Sequence, residues 1–320
     1  MTLRVVINIA WVILLAAMAS GCSIKLAYNN ADRLIRWGID DYVDLTREQR
    51  DYLAPELERL LYWHRTTQLP RYARTLQTLQ EDIDRAVGGD ATQLSEQFGD
   101  FIETALTWGE LVQDKAQRTG SQMLTSLTAE QIEALPKRLD KDNRELAKEE
   151  RGKTLEQSQR RWAKEVRKGL QRFTGRLTAQ QRSFLDEQAL GYQPERELWV
   201  AYRQRWQEQV LALLELWRER RIDAPTLVRR FRTLTDARES YYGDFGPVFD
   251  SNEVLARNTL AGLLVRMNAA QRERFADRLL DIVEDLEELV AQADPSAPAP
   301  LVPEDCLVLL ASCPGVRVNP

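Results

Sequence analysis

Side chains able to do chemistry are scarce in these 320 residues: one His and three Cys, set in a background of 49 Asp+Glu and 44 Lys+Arg. One imidazole and three thiols leave almost no material for a zinc or iron site, and no G-x-G-x-x-G or P-loop spacing occurs, so neither a metal nor a cofactor is expected. His64 follows Leu60 by four residues and Leu61 by three, which places it on the apolar stripe begun by Leu53 and Leu57. It either orients a loop or binds an anion when charged, or is a hydrogen-bonded, semi-buried residue at a helix end. No Ser or Cys stands in a nucleophile elbow of the G-x-S-x-G type. Carboxylate pairs such as Asp40-Asp41 and Glu149-Glu150 are what 49 acids supply by chance. No catalytic residue is assigned, and the chain reads as a non-enzyme.

Charge is segregated. Residues 137–182 carry 15 Lys+Arg and 7 Asp+Glu, whereas residues 244–317 carry 6 and 13. Within the basic part Arg161, Lys164, Lys168 and Arg172 share one helical face, with Trp162, Val166, Leu170 and Phe173 on another. That face is a candidate binding surface for anionic lipid or acidic clients. Its competing explanation is intramolecular: a basic helix packed against an acidic one, or a solvated face of weak ion pairs. Residues 140–161 contain few apolar side chains and are expected to be exposed, as a projecting arm. The Trp199, Trp206 and Trp217 stripe lines either a groove or a core. Residues 241–249, rich in Tyr, Phe and Gly, form either a binding loop or a packed corner.

The cysteines divide by position. Arg4 precedes an apolar run from Val5 to Ala17, interrupted by Asn8, and Ala19-Ser20-Gly21 leads into Cys22. This reads as a secretory signal too short to span a bilayer comfortably. The Ala-Ser-Gly-Cys order resembles a bacterial lipobox, which implies cleavage before Cys22 and acylation of that residue. With more than one acyl chain the anchor is stable, each buried methylene contributing about 0.8 kcal/mol. Ser23, where Asp would imply inner-membrane retention, points to the periplasmic face of the outer membrane. Once Cys22 is acylated, Cys306 and Cys313 remain as a pair in an oxidising compartment, and a disulfide between them is expected; closing so short a loop contributes about 2.5 kcal/mol.

The elements that must carry these residues are helices. Apolar residues recur at steps of three and four: Leu94, Phe98, Phe101, Ala105, Trp108 and Val112; Trp199, Tyr202, Trp206, Val210, Leu213 and Trp217; Phe275, Leu279, Ile282, Leu286 and Leu289. The spacing predicts helices near 28–41, 47–67, 71–87, 91–119, 129–174 with a break near Gly152, 179–190, 195–221, 225–241, 251–267 and 269–292. Six of the 12 prolines lie in the last 26 residues, so the helical body stops near Ala293 and a stiff Pro-rich tail follows. The fold expected is all-α: an elongated multi-helix bundle with a non-helical C-terminal tail, divided into a signal peptide (1–21), a helical periplasmic domain (22–293) and the tail (294–320).

A phrase recurs four times: Leu45-Thr46-Arg47-Glu48-Gln49, Leu127-Thr128-Ala129-Glu130-Gln131, Leu177-Thr178-Ala179-Gln180-Gln181 and Met267-Asn268-Ala269-Ala270-Gln271. Thr or Asn as N-cap and Gln three residues later form a capping box. The Leu-Thr-x-x-Gln phrase also resembles the signature of the Spy and CpxP periplasmic proteins, a resemblance that implies a helical cradle holding unfolded or membrane-associated clients without ATP. A second resemblance runs through Cys22, Ala27-Tyr28-Asn29-Asn30, Asp44-Leu45-Thr46, Trp63-His64-Arg65 and Leu69-Pro70-Arg71-Tyr72-Ala73. It is to a family of proteobacterial lipoproteins of no established function, and it implies lipidation and a helical fold but supplies no activity. The sequence therefore leads to an outer-membrane-anchored periplasmic lipoprotein with a binding or chaperone-like role and no enzymatic one. Its partners are the membrane, through the anchor, and envelope proteins or unfolded clients; nucleic acid is not among them, since the chain is acidic. The alternative is a structural or scaffolding envelope component without client binding.

Overall fold

In the computed structural model, residues 24–148, 151–236 and 242–293 are described. Cys22, Cys306 and Cys313, the expected signal segment and the Pro-rich tail lie outside them. Every regular element among the described residues is helical, as the three-and-four spacing requires: α1 (Ile24–Tyr28), α2 (Ala31–Asp40), α3 (Arg47–Trp63), a π-helical turn (His64–Gln68), α4 (Leu69–Ala86), α5 (Ala91–Thr125), α6 (Ala129–Lys148), α7 (Leu155–Thr174), α8 (Ala179–Ala189), α9 (Arg196–Arg218), α10 (Ala224–Asp236), α11 (Phe245–Leu264) and α12 (Ala269–Ala291). The chain is an all-α bundle. α12 packs along α4 and α7, α11 along α5, and α6 along α9.

Local chemistry sets the breaks. Gly88, Gly152 and Gly175 have φ near +77°, +78° and +71°, conformations open to glycine and costly for other residues, and they follow α4, separate α6 from α7 and end α7. The helix expected at 28–41 is α2, which begins at Ala31, and a further short helix, α1, precedes it across Asn29-Asn30. The break expected between the helices at 47–67 and 71–87 does not interrupt the backbone. Pro70 sits in the first turn of α4, where its missing N–H is harmless, and the π-helical turn carries α3 into α4 without a loop. Thr66 and Thr67 hydroxyls donate to the Tyr62 and Trp63 carbonyls (2.9 and 2.7 Å), partnering groups beside that turn.

All four recurring phrases form capping boxes, and they do more than cap. They pair, first with second and third with fourth. In the first pair Gln49 Nε2 donates to Gln131 Oε1 (3.0 Å) and Gln131 Nε2 donates to Gln49 Oε1 (2.8 Å). In the second, Gln271 Nε2 donates to Gln181 Oε1 (2.9 Å). Each amide also donates to the carbonyl two residues before the partner's cap: Gln49 to Ser126, Gln131 to Asp44, Gln181 to Arg266 and Gln271 to Arg176. Each Oε1 meanwhile accepts from its own cap's N–H. The phrase is thus self-complementary, and two copies clamp two helix starts together around a buried Gln pair. A fifth box, Thr154 with Gln157, caps α7 but is exposed and lacks the apolar residue before the cap.

Burial bears out the core reading at Trp206, which is buried with Tyr202, Val210 and Leu213 and donates from Nε1 to the Leu234 carbonyl (3.1 Å), whereas Trp199 and Trp217 are half-buried. Of the aromatic segment expected at 241–249, the described residues 242–249 are largely a packed corner, and residue 241 lies outside the described residues. Phe245 begins α11 and is 2% exposed, stacked on Tyr202 at 5.6 Å between ring centres and edge-on to Tyr242. Most described residues of 140–161 are exposed, as expected, but the segment does not project as an arm, since Asn143, Ser158 and Gln159 are buried. α6 lies on α9 through polar contacts that an apolar periodicity cannot reveal: Asn143 Nδ2 donates to Gln207 Oε1 (2.7 Å), and buried Arg203 approaches Asp142 (3.4 Å). At the start of α7, buried Gln159 donates to the Leu190 carbonyl (2.7 Å).

The apolar core is divided into three clusters. The largest joins α1, α4, α5, α7, α8, α11 and α12; a second joins α6, α9 and α10; a third joins α2 and α3. Protein interiors rarely leave such seams unfilled, and here the space between them is the main feature of the molecule.

Candidate binding cavity

Apolar side chains of three helices, α4, α5 and α12, face a common space that their packing on one another leaves unfilled. From α5 come Phe98, Phe101, Ala105, Trp108 and Val112; from α12, Phe275, Leu279, Ile282 and Leu286; from α4, Leu69, Leu76, Leu79 and Ile83. Between them, with further walls from α7, α10 and α11, lies a cavity of about 970 Å³ bordered by members of all three core clusters. Ile24, at the start of the described chain, is part of its wall. Were this volume a sealed void, a cost of about 24 cal/mol per Å³ would amount to ~20 kcal/mol, more than the ~5–15 kcal/mol by which whole domains are stable. The volume is therefore open to solvent or to a guest, and the wall residues show where. Asp114, Glu165, Arg172, Arg232 and Asp236 line it and are exposed, so the mouth lies along α5, α7 and α10. The lining from α12 and α11 is wholly apolar.

His64 lines the apolar side. Its Nδ1 is 2.9 Å from the Tyr28 hydroxyl and its Nε2 is 3.2 Å from the Tyr72 hydroxyl, while the Tyr28 hydroxyl is also 3.2 Å from the Leu61 carbonyl. The imidazole stacks on Tyr28 at 5.7 Å, and Tyr72 in turn packs on Trp108 at 4.2 Å. Dense surroundings push the His64 pKa down to about 4 and both tyrosine hydroxyls well up, burial being the cause in each case. A neutral imidazole has one donor and one acceptor, and the two hydroxyls match both. The semi-buried, hydrogen-bonded reading of His64 therefore describes what is seen; an anion-binding imidazolium does not fit a group held neutral. The polar groups in this wall satisfy one another, so a guest reaching this far needs no polar atom.

The candidate basic face has a definite place. Arg172 is part of the cavity lining, and Arg161 and Lys168 lie on the adjoining strip of α7, with Lys164 further round. Lys164, Lys168 and Arg172 are exposed, whereas Arg161 is half-buried. α7 does pack on acidic α12, as the intramolecular explanation requires, but Lys164, Lys168 and Arg172 make no ion pair with it among the described residues; it is Lys25 of α1 that pairs with Asp285 (3.2 Å) and Glu288 of α12. No cluster of His, Cys, Asp and Glu among the described residues could hold a metal ion, and no described helix is long and apolar enough to cross a membrane.

Sequence reasoning placed the stripes but not the cavity, since periodicity shows which side of a helix is apolar and not how closely two such sides approach. The available signal was small residues inside the stripes. Gly109, Gly120 and Gly169 all line the space, and a methyl added at Gly120 or Gly169 would meet nothing within 4 Å.

A family model described only as a family of unknown function, DUF6279, matches residues 41–244. No curated protein and no solved structure matches the chain.

Proposed function

The chain belongs to this DUF6279 family of unknown function, and we propose that it is a non-enzymatic binding protein of the cell envelope that takes an apolar guest into its central cavity. The single observation carrying this reading is the cavity: about 970 Å³, walled by apolar and aromatic side chains from seven or more helices and open along one side. Ligand sites of roughly 300–1,000 Å³ with mostly apolar walls and a few placed polar groups are the usual form of small-molecule pockets. A chaperone-like action, as the resemblance to Spy and CpxP implies, is the version in which the guest is an apolar side-chain cluster of an unfolded client. The scaffolding alternative has no use for the cavity, which is why we rank it second.

In this proposal the protein hangs from the periplasmic face of the outer membrane by acylated Cys22, with Cys306 and Cys313 joined. Metabolic labelling with an alkyne fatty acid should tag the chain and fail to tag Cys22→Ser. Alkylation of non-reduced protein should leave Cys306 and Cys313 unlabelled; two freely alkylated thiols end that assignment. For the cavity itself, an environment-sensitive apolar dye should bind the full chain saturably, and Gly120→Leu, which adds bulk into free space, should weaken dye binding about tenfold. Dye binding that is unchanged by Gly120→Leu and by a second filling substitution at Gly169 would remove the reading.

A further inference from the structure

Resting on the cavity reading, we infer that its guest is a phospholipid-type amphiphile: an acyl chain lies against α4 and α12, and the head-group phosphate is held at the mouth by Arg172 with Lys168 beside it. Three observations argue for this occupant. The wall polarity is one-sided: α12 and α11 contribute only apolar lining, whereas the charged lining residues are exposed at the mouth, so the space suits a molecule apolar at one end and charged at the other. The inner polar groups, His64 with Tyr28 and Tyr72, are already hydrogen-bonded together, so an acyl chain leaves none of them unmatched while a peptide backbone would bring polar groups with no partners. At the mouth, Arg172 and Lys168 stand one turn apart, exposed and without an ion pair among the described residues, although an acidic helix packs against their own.

Both signs are present there. Arg232 of α10 is matched by Asp236 (3.7 Å), while Glu165 lies on α7 between the cavity face and the basic strip. A zwitterionic head answers this arrangement better than a bare carboxylate, with its phosphate on the guanidinium and its ammonium toward Glu165. Arg is suited to the phosphate, since its planar fork makes two parallel charge-assisted hydrogen bonds. A lysophospholipid diffusing free and a phospholipid taken from a bilayer share this chemistry.

The test uses tryptophans already in the wall. Trp108 and Trp162 line the cavity, so a lysophosphatidylethanolamine brominated along its acyl chain should quench the full chain's fluorescence saturably, in nonionic detergent below its micellar concentration. A monoacylglycerol with the same brominated chain isolates the head group. Expected are tighter binding of the phosphate-bearing probe, about tenfold weakening of that probe alone by Arg172→Glu, and loss of quenching by both probes in Gly169→Leu. Vesicles of brominated phosphatidylethanolamine distinguish the sources: quenching there shows uptake from a bilayer, and its absence alongside lysophospholipid binding supports the free species. Equal binding of the two probes, unaffected by Arg172→Glu, overturns the head-group inference and leaves the cavity reading standing. No saturable quenching by either probe overturns both. Quenching that appears only after the chain is cut at residue 293 also overturns the inference, because its own C-terminal segment would then be the occupant.

Discussion

His64 shows how a residue that looks chemical can be structural. Its two ring nitrogens are matched by Tyr28 and Tyr72, and the Arg65 guanidinium lies over the Tyr28 ring at 5.1 Å; the groups hydrogen-bonded to the imidazole include no carboxylate to stabilise an imidazolium. The folded pKa near 4 is below the ordinary value of 6.5, so on acidification the unfolded chain takes up the proton first. The stability tied to a neutral His64 is therefore fully present above about pH 6.5 and is lost as the pH falls through about 4, by an amount on the order of 3 kcal/mol. Carboxylates titrate over part of that range, so the measurement is a difference. Urea unfolding of wild type and His64→Gln at pH 7.5 and pH 4 should show wild type losing on the order of 3 kcal/mol more than the variant on acidification. A wild-type-minus-variant difference that stays flat with pH would show that this imidazole can be protonated in place.

At the scale of elements, the recurring phrase is a fastening between helix starts, and its chemistry explains why Gln is the residue used. The Gln181 Oε1 accepts from the Thr178 N–H and from Gln271, while its Nε2 donates to the Leu263 carbonyl (3.1 Å); a carboxylate accepts but cannot donate. Gln181→Glu should thus leave a charge in a fully buried site opposite carbonyls and cost about 3 kcal/mol or more. Gln157→Glu, in the exposed unpaired box, should stay within about 0.5 kcal/mol. Comparable losses at the two positions, read from denaturation midpoints, would contradict the fastening. The boxes themselves were legible from sequence because a cap and its reciprocal partner are three residues apart. Their pairing was not, because it links residues 82 and 90 positions apart through groups every Gln has. The same limit applies to the end of α6, read with residues up to 161 as a projecting arm because its contacts with α9 run through Asn143, Asp142 and Arg203 rather than through apolar side chains. Elements that pack by apolar stripes, such as α9 and α12, were visible. So was the basic strip on α7, but its position at the edge of a cavity was not, since that depends on helices distant in sequence.

For the whole molecule, the consequence is that stability and occupancy are linked. A protein with a large apolar cavity forgoes contacts that a filled core would have, and a guest that binds only the folded state restores stability by RT ln(1 + [L]/Kd), about 2.7 kcal/mol at a hundredfold excess over Kd. Filling the space with the protein's own atoms should have the opposite balance. Gly169 is in the middle of α7 with a normal helical backbone and open space beyond its Cα. Replacing it by Leu adds helix propensity, worth ~0.8 kcal/mol, and apolar burial in the cavity. Gly169→Leu should therefore raise the Tm of the guest-free protein by several degrees and nearly abolish the further rise that a phospholipid-type guest gives wild type. Binding elsewhere predicts a different pair of curves: the guest-induced shift would persist in the variant at full size. Simple overpacking would lower the guest-free Tm. Scanning calorimetry of the two proteins, each with and without lysophosphatidylethanolamine, separates these outcomes. The informative quantity is the change in shift between the two proteins, because propensity and burial alter both of the variant's curves alike and only occupancy of the cavity makes the guest's effect depend on residue 169.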